Sequence, residues 1–301
     1  MDVCYNPLVI HAPQRTFLMN HLFVDNLTVI DFAYLDPNRG LVGESWIADV
    51  VLMGELDEQG MVFDFSSVKR TIKRVIDELV DHRLVVPSTS AALQQDPDEP
   101  DTLTWTLADG THIRHSGPAE AVLMLPVETV VPSAVAKLLQ TELRGILPSN
   151  IQDIRIDLRE EEIDGAYYHY VHGLKKHLGN CQRIAHGHRS PIRIRRNGRR
   201  DPTLERTWAH RWEDIYVGSD EDVIAREADA DGTSYLTFGY ESNQGEFRLT
   251  IPAKRVYLMT GDTTIELIAA HIADLCKAEL GNDTVEVRAY EGVGKGALAI
   301  R

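Results

Sequence analysis

The chain has 301 residues, 43% hydrophobic and 26% charged, with a formal net charge of -15. That is a globular composition with length for two domains, which excludes disorder, collagen and coiled coil as its main theme. No apolar run approaches the roughly 20 residues that span a bilayer, and the acidic balance argues against neutralising nucleic-acid phosphates, so neither membrane nor nucleic acid is expected as a partner. The opening MDVCYNPLVIHAPQRTF lacks the basic start and apolar stretch of a secretion signal. Three cysteines (Cys4, Cys181, Cys276) are too few for a disulfide framework, so a cytoplasmic location is expected.

LTVIDFAYL (27–35) and ADVVLMG (48–54) read as strands, being short β-branched apolar runs. After GMVFDF (60–65), Val68, Ile72, Val75, Ile76 and Leu79 recur at helical spacing, with Asp64 or Ser66 as N-cap. Residues 87–101 are rich in Pro, Asp and Ser and predict an exposed loop. TLTWTLADGTHIRHS predicts two strands around an Asp-Gly turn. A second amphipathic helix is predicted over 133–144, with Val135, Leu138 and Leu139 inward, then an alternating strand over 151–158.

In the second half, GAYYHYVHGL, HRSPIRIRR, 234–240 and 246–251 are strand-like. Residues 263–279 predict a helix with Ile265, Ile268, Ala269, Ile272 and Leu275 on one face, and 284–290 a closing strand. The stretch 188–211 is strongly basic inside an acidic chain. It reads either as a solvated strand and loop or as a site for a polyphosphate, because arginine forks match phosphate oxygens. Each half ends in a helix, an alternating strand and a glutamate followed five residues later by Gly-Ala: Glu160 with Gly165-Ala166, and Glu291 with Gly296-Ala297. The shared context points to a tandem duplication.

The chemistry concentrates in YHYVHGLKKHLGNCQRIAHGHRS (168–190). His186 and His188 are two apart, so on a strand both imidazoles face one way. A neighbouring antiparallel strand brings His172 across, and three imidazoles with an open position make a catalytic zinc site. The alternative is a polar, histidine-rich surface loop. Cys181 lies between these histidines near Lys175, Lys176 and Arg183. That setting suits a low-pKa thiolate, the alternative being a small buried hydrophobe. Asp81-His82 closes the first helix, either as dipole compensation or as a carboxylate-tuned proton carrier.

These segments resemble the 6-pyruvoyl-tetrahydropterin synthase / 6-carboxytetrahydropterin synthase family. Tyr168 to His172, Cys181 and His186-Gly187-His188 match its opening motif; GMVFDF, the helix and Asp81-His82 match its middle; TTIE (263–266) with its helix, and Glu291 with Gly296, match its end. The resemblance implies an α+β fold of tandem T-fold (tunnelling-fold) modules, each an antiparallel sheet with helices on one face, assembling as a homo-oligomeric barrel. The modules are expected at 1–165, holding the Asp-His helix, and at 166–301, holding the metal site. A strand-rich insertion at about 199–260 is expected in the second, in place of one helix.

The departures are complementary. In the first half Leu27 stands where the first histidine is expected, Val42-Gly43-Glu44-Ser45 replaces His-Gly-His, and no cysteine precedes it. The second half keeps histidines and cysteine but lacks GMVFDF and Asp-His, and Ala185 sets Cys181 one residue further from His186 than the family spacing. The resemblance therefore implies a composite site, with His172, His186 and His188 holding zinc. Cys181 moves a proton on the substrate, Asp81 and His82 serve as acid/base, and Glu291 or Glu160 grips the pterin edge. The implied substrate is 7,8-dihydroneopterin triphosphate, with the arginines of 188–211 as candidates for its phosphates. The implied activity is a 6-carboxytetrahydropterin synthase-like lyase on the route to queuosine. The alternatives are 6-pyruvoyltetrahydropterin synthase-type triphosphate elimination and a non-catalytic zinc- or pterin-binding protein.

Overall fold

The computed structural model describes residues 19–95 and 97–301, so Cys4 and the opening segment lie outside the described residues. The first half begins with a long hairpin of β1 (Asn20–Asp36) and β2 (Gly40–Gly54). Its turn forms where the Asp36 carboxylate accepts the amides of Asn38 and Arg39, both at 2.8 Å. Helix α1 (Phe65–Leu79) is capped by Asp64, which accepts Ser67 N–H at 2.9 Å, and it buries Val68, Ile72, Val75 and Ile76 as predicted. Then come β3 (Leu84–Pro87), β4 (Leu93–Gln95), β5 (Thr102–Thr106), β6 (His112–Ser116), β7 (Val122–Leu125), α2 (Pro132–Arg144) and β8 (Ile151–Glu160). The strands β7-β3-β1-β2-β8 form one sheet, and α1 and α2 share a core with one face of it.

The second half runs β9 (Tyr167–His172), β10 (His186–Arg196), β11 (Arg199–Arg200), α3 (Pro202–Arg211), β12 (Ile215–Ser219), β13 (Val223–Ala228), β14 (Ser234–Ser242), β15 (Gly245–Pro252), β16 (Val256–Met259), α4 (Ile265–Leu280), β17 (Val285–Tyr290) and β18 (Gly296–Ile300). Its sheet, β16-β12-β9-β10-β17-β18, repeats the first in strand order and adds β18. Helices α3 and α4 share its core, built around Trp208, Trp212, Ile268 and Ile272.

Three expectations are corrected. Both main sheets are mixed rather than wholly antiparallel, since β3 runs parallel to β1 and β7, and β12 parallel to β9 and β16. The strand-rich insertion does not replace a helix: α3 lies within the expected stretch, and its low hydrophobic content hid it from a periodicity reading. Nor is the insertion confined to the second half. Strands β4, β5 and β6, partly in the segment expected to be loop, pair through β6–β15 with β13, β14 and β15 into a third sheet spanning both halves. Its core, including Trp105, Phe238 and Phe247, is continuous with Val171 and Ile184 beside the histidine segment.

The two main sheets meet at a glycine contact that positions everything below. A Cβ on Gly43 would lie 2.0 Å from the Tyr170 carbonyl oxygen, and one on Gly187 would lie 2.6 Å from Gly43 Cα. Only residues without a side chain allow backbones this close.

Candidate active site at the seam between halves

Antiparallel pairing sets His186 opposite His172 and His188 opposite Tyr170, so three imidazoles converge as the spacing predicted. Their ring centroids lie 4.5 Å (172–186), 5.4 Å (172–188) and 5.6 Å (186–188) apart, and all three are buried. The His172 Nδ1–H donates to the Thr263 carbonyl and the His186 Nδ1–H to the Arg183 carbonyl, each at 2.9 Å. A carbonyl oxygen only accepts, so these contacts fix the tautomer and leave each Nε2 as a lone-pair donor. Both Nε2 atoms, and Nε2 of His188, are buried without a hydrogen-bond partner. Burial, reinforced for His172 mainly by His188 and for His186 mainly by His172, pushes both pKa values well below the ordinary histidine value. His172 and His186, unprotonated and anchored through Nδ1, face the buried ring of His188, and three converging imidazole donors suit a divalent ion of borderline softness, zinc above all. These donor atoms lie within 4.8 Å of one another.

The first half supplies the other side. Asp81-His82 follows α1, with His82 at φ 56. Asp81 Oδ1 accepts Asp31 N–H at 2.8 Å, while His82 N–H donates to the Asp31 carbonyl at 2.7 Å. Asp81 Oδ2 lies 2.6 Å from His82 Nδ1, and the His82 ring stands 5.2 Å from that of His186. His82, Cys181 and His186 form a second cluster of donor atoms within 4.8 Å. Burial lowers the His82 pKa, but hydrogen bonding and electrostatic interaction with Asp81 and Cys181 outweigh it, raising it to about 10. His82 therefore holds its proton at neutral pH and faces the thiol as an acid, while the purely imidazole cluster is the one fitted to a metal.

Glu291, just past β17, places Oε1 3.9 Å from Nε2 of both His172 and His188. Glu160 does not join this cluster: it is about half exposed and pairs with Arg189 at 3.4 Å. The basic stretch is largely consumed internally. Arg196 pairs with Asp283, Arg200 with Glu205, and Arg211 stacks on Trp208. Arg193 donates to the Ala166 and Ile192 carbonyls.

Sequence reasoning missed Asp31. Its buried carboxylate accepts Ser45 Oγ–H at 2.5 Å, meets Lys295 Nζ at 3.0 Å, and lies 3.3 Å from His188 Nδ1. Burial would raise its pKa, but His188, Lys295 and Ser45 outweigh that and hold it well below the usual carboxylate range. An aspartate inside an apolar strand, LTVIDFAYL, is the trace it left in the sequence.

The register also corrects the equivalences between halves. Gly43 pairs with Ala33 as Gly187 pairs with Val171, so Val42, Glu44 and Tyr34 occupy the positions of His186, His188 and His172. Tyr34, not Leu27, replaces the first histidine; the irregularity in β1 between Val24 and Thr28 makes counting from the strand's start misleading. Ala33 pairs in parallel with Leu84 and Val171 with Tyr216, which makes Asp214 the counterpart of His82. Asp214 has φ 51 against 56 for His82. By the same registers Ala48–Leu158 corresponds to Ile192–Ala289, so Glu160 is the counterpart of Glu291.

Residues 15–170 match the family model for 6-pyruvoyl tetrahydropterin synthase. No curated protein matches the sequence. Among solved structures, a 6-pyruvoyl tetrahydropterin synthase from Plasmodium falciparum is 19% identical over 46% of this chain and 90% of its own, with a TM-score of 0.39. One from Plasmodium vivax is 18% identical over 47% and 98%, with a TM-score of 0.37. An uncharacterized protein from Wolinella succinogenes is 17% identical over 49% and 96%, with a TM-score of 0.25.

Proposed function

Because the chain belongs to the 6-pyruvoyl tetrahydropterin synthase family and carries its α+β T-fold, we propose that it is a zinc-dependent lyase acting on 7,8-dihydroneopterin triphosphate at a composite site. The observation that carries this reading is the meeting of Asp81-His82 from the first half with Cys181 and the three orphaned imidazoles of the second. His172, His186 and His188 would hold the ion. Bound there, zinc supplies Lewis-acid polarisation of the substrate's side-chain oxygens, which acidifies the adjoining C–H.

The chain's own residues do the rest. Cys181 removes or returns a proton on the substrate side chain. His82, oriented by Asp81, is the opposing acid, a role worth about 10²–10⁴-fold when well placed. Glu291, partly exposed beside the cluster, grips the paired N–H donors of the pterin edge. Lys295, paired with Asp31 and half exposed, offers a cation to the phosphates. The halves 1–165 and 166–301 act as two modules. Copies of the chain would close the open sheet edges at β7 and β8 into a barrel.

The compact loop from Cys181 to His186-Gly187-His188 favours the carbon–carbon-cleaving, 6-carboxytetrahydropterin synthase-like outcome, and the extra residue Ala185 weighs against it. The family match favours triphosphate elimination as the second reading. Incubating zinc-loaded protein with the triphosphate and identifying the products separates them: both routes release inorganic triphosphate, the first with 6-carboxytetrahydropterin and acetaldehyde, the second with 6-pyruvoyltetrahydropterin and no acetaldehyde. Turnover should fall by about 10²–10⁴-fold in Cys181→Ala and in His82→Ala. Pterin binding without turnover in the native protein would overturn the enzyme in favour of a binding protein.

A further inference from the structure

Cys181 lies in the loop between β9 and β10, on a single 3-10 turn, Asn180–Gln182. One such turn holds few hydrogen bonds, and those are poorly aligned. Backbone contacts supply part of the support: Leu174 N–H donates to the Cys181 carbonyl at 2.9 Å and Arg183 N–H to the Asn180 carbonyl at 3.0 Å. Ala185, the residue by which the loop exceeds the family spacing, is 2% exposed and packs with Ile184 into the core of the third sheet. The loop therefore leans on the third sheet as well as on the sheet that carries the histidines.

The β14–β15 hairpin of that third sheet grips the residues on both sides of the thiol. Arg183 Nε–H donates to Gln244 Oε1 at 3.0 Å, and Gln244 Nε2–H donates to Asn180 Oδ1 at 2.8 Å. A guanidinium only donates, so the first contact fixes the orientation of the Gln244 amide and the second uses its other end. Gln244 N–H donates to Gln182 Oε1 at 2.9 Å, and the Tyr240 hydroxyl donates to the Gln182 carbonyl at 2.8 Å. Gln182 is fully buried, so leaving its polar groups unpaired would be costly. The Tyr240 hydroxyl also stands against the other end of the loop, where a Cβ on Gly173 would lie 2.2 Å from it.

Arg183 carries this grip into the site. Its Nη1 donates to the His82 carbonyl at 3.4 Å, and its own carbonyl accepts His186 Nδ1–H at 2.9 Å. The first half shows the same architecture without the chemistry. There the β5–β6 hairpin, which lies between β3 and β7 as β14–β15 lies between β12 and β16, holds the short turn between β1 and β2. Trp105 Nε1–H donates to the Asp36 carbonyl at 3.2 Å and Ala108 N–H to the Pro37 carbonyl at 2.7 Å. That turn carries no cysteine, and no glutamine amide clamps it. Among the described residues, the glutamine clamp belongs to the half that carries the thiol.

We propose that Gln244 is a positioning residue for Cys181: through Asn180, Gln182 and Arg183 it holds the thiol loop facing His82 across the seam, so the third sheet serves the chemistry of the site as well as adding core. That the thiol is reactive rests on the composite-site reading; the clamp on the loop does not.

The test compares the native full chain with Gln244→Leu, which keeps the bulk of the side chain and removes both amide contacts, and with Gln244→Glu, which keeps the acceptor for Arg183. Asn180 can turn its own amide to donate to that carboxylate. In hydrogen–deuterium exchange of zinc-loaded protein, amides of 174–185 should exchange about tenfold faster in Gln244→Leu, and native rates should return in Gln244→Glu. In turnover of the triphosphate, Gln244→Leu should lower kcat by about tenfold while KM stays within about twofold, and Gln244→Glu should recover most of the loss. Tyr240→Phe, which removes a single hydroxyl contact, should move both readouts the same way by less, and it carries the test if Gln244→Leu folds poorly. Native exchange rates in both Gln244→Leu and Tyr240→Phe, or a fall in kcat that Gln244→Glu does not recover, overturns the proposal. Faster exchange in Gln244→Leu with no turnover in the native protein would overturn the composite enzyme and sustain the clamp.

Discussion

Asp31 on the first strand of the chain stands 3.3 Å from the Nδ1 atom of His188, so the first half orients an imidazole of the second. This is the carboxylate–histidine arrangement that fixes ring orientation and raises ligand basicity at metal centres. Asp31→Asn should weaken zinc binding by about 10–100-fold, measured by competition against a chromogenic chelator. An unchanged dissociation constant would show that His188 is held by other contacts.

Removing the bound metal should destabilise the protein, since a ligand that binds only the folded state adds RT ln(1 + [L]/Kd), about 4 kcal/mol at a thousandfold excess over Kd. The expected result is a thermal midpoint that falls on chelation and returns with zinc, and one already low in His186→Ala. A midpoint insensitive to zinc in native protein would contradict the metal site.

His82→Ala should leave zinc content intact, because His82 already has Asp81 and Cys181 as partners. Its kcat should fall by about 10²–10⁴-fold. Simultaneous loss of zinc would instead make His82 a ligand, as its membership in the cluster with Cys181 and His186 allows.

The third sheet carries its own pH sensitivity. His115 on β6 is fully buried with an unpartnered Nδ1, and desolvation lowers its pKa from 6.5 to about 4. Below pH 6.5 the unfolded chain takes up a proton that the folded chain refuses until about pH 4. Its contribution is therefore complete above pH 6.5 and is lost as pH falls to 4, by about 3 kcal/mol in all. Denaturant unfolding of native protein and His115→Phe at pH 7 and pH 5 should give a smaller pH-dependent loss in the variant. Equal losses would mean His115 is solvated.

At the glycine contact, Gly43→Ala should cost more than the 1–3 kcal/mol typical of overpacking. Its Cβ meets a backbone oxygen at 2.0 Å rather than a side chain that can move. Urea unfolding, with zinc affinity as a second readout, checks this. A stability loss under 1 kcal/mol would show that the sheets can separate.

The local elements were legible because their causes are local. Asp64 caps α1 and the Val68-Ile72-Val75-Ile76 stripe buries it, and the two-residue period of β10 sets His186 and His188 on one face. The glutamate–Gly-Ala repeat also anticipated that Glu160 and Glu291 hold equivalent positions. Strand register was not legible, because it depends on pairing between distant segments and on an irregularity within β1. That is why Leu27 stood in for Tyr34. Helix α3 was obscured by its mostly polar surface, and the joint third sheet by the fact that β6 and β15 are far apart in sequence.

The sequence by itself determined which side chains can do chemistry: three imidazoles at strand spacing, a thiol between them, and an Asp-His pair closing a helix. Only the tertiary structure decided that these meet within one chain. It also brought Asp31 to His188 and the β14–β15 hairpin to the Cys181 loop. The physical reason is that residue type and period act along a few turns of chain, whereas proximity across the seam is set by two sheets touching at Gly43 and Gly187.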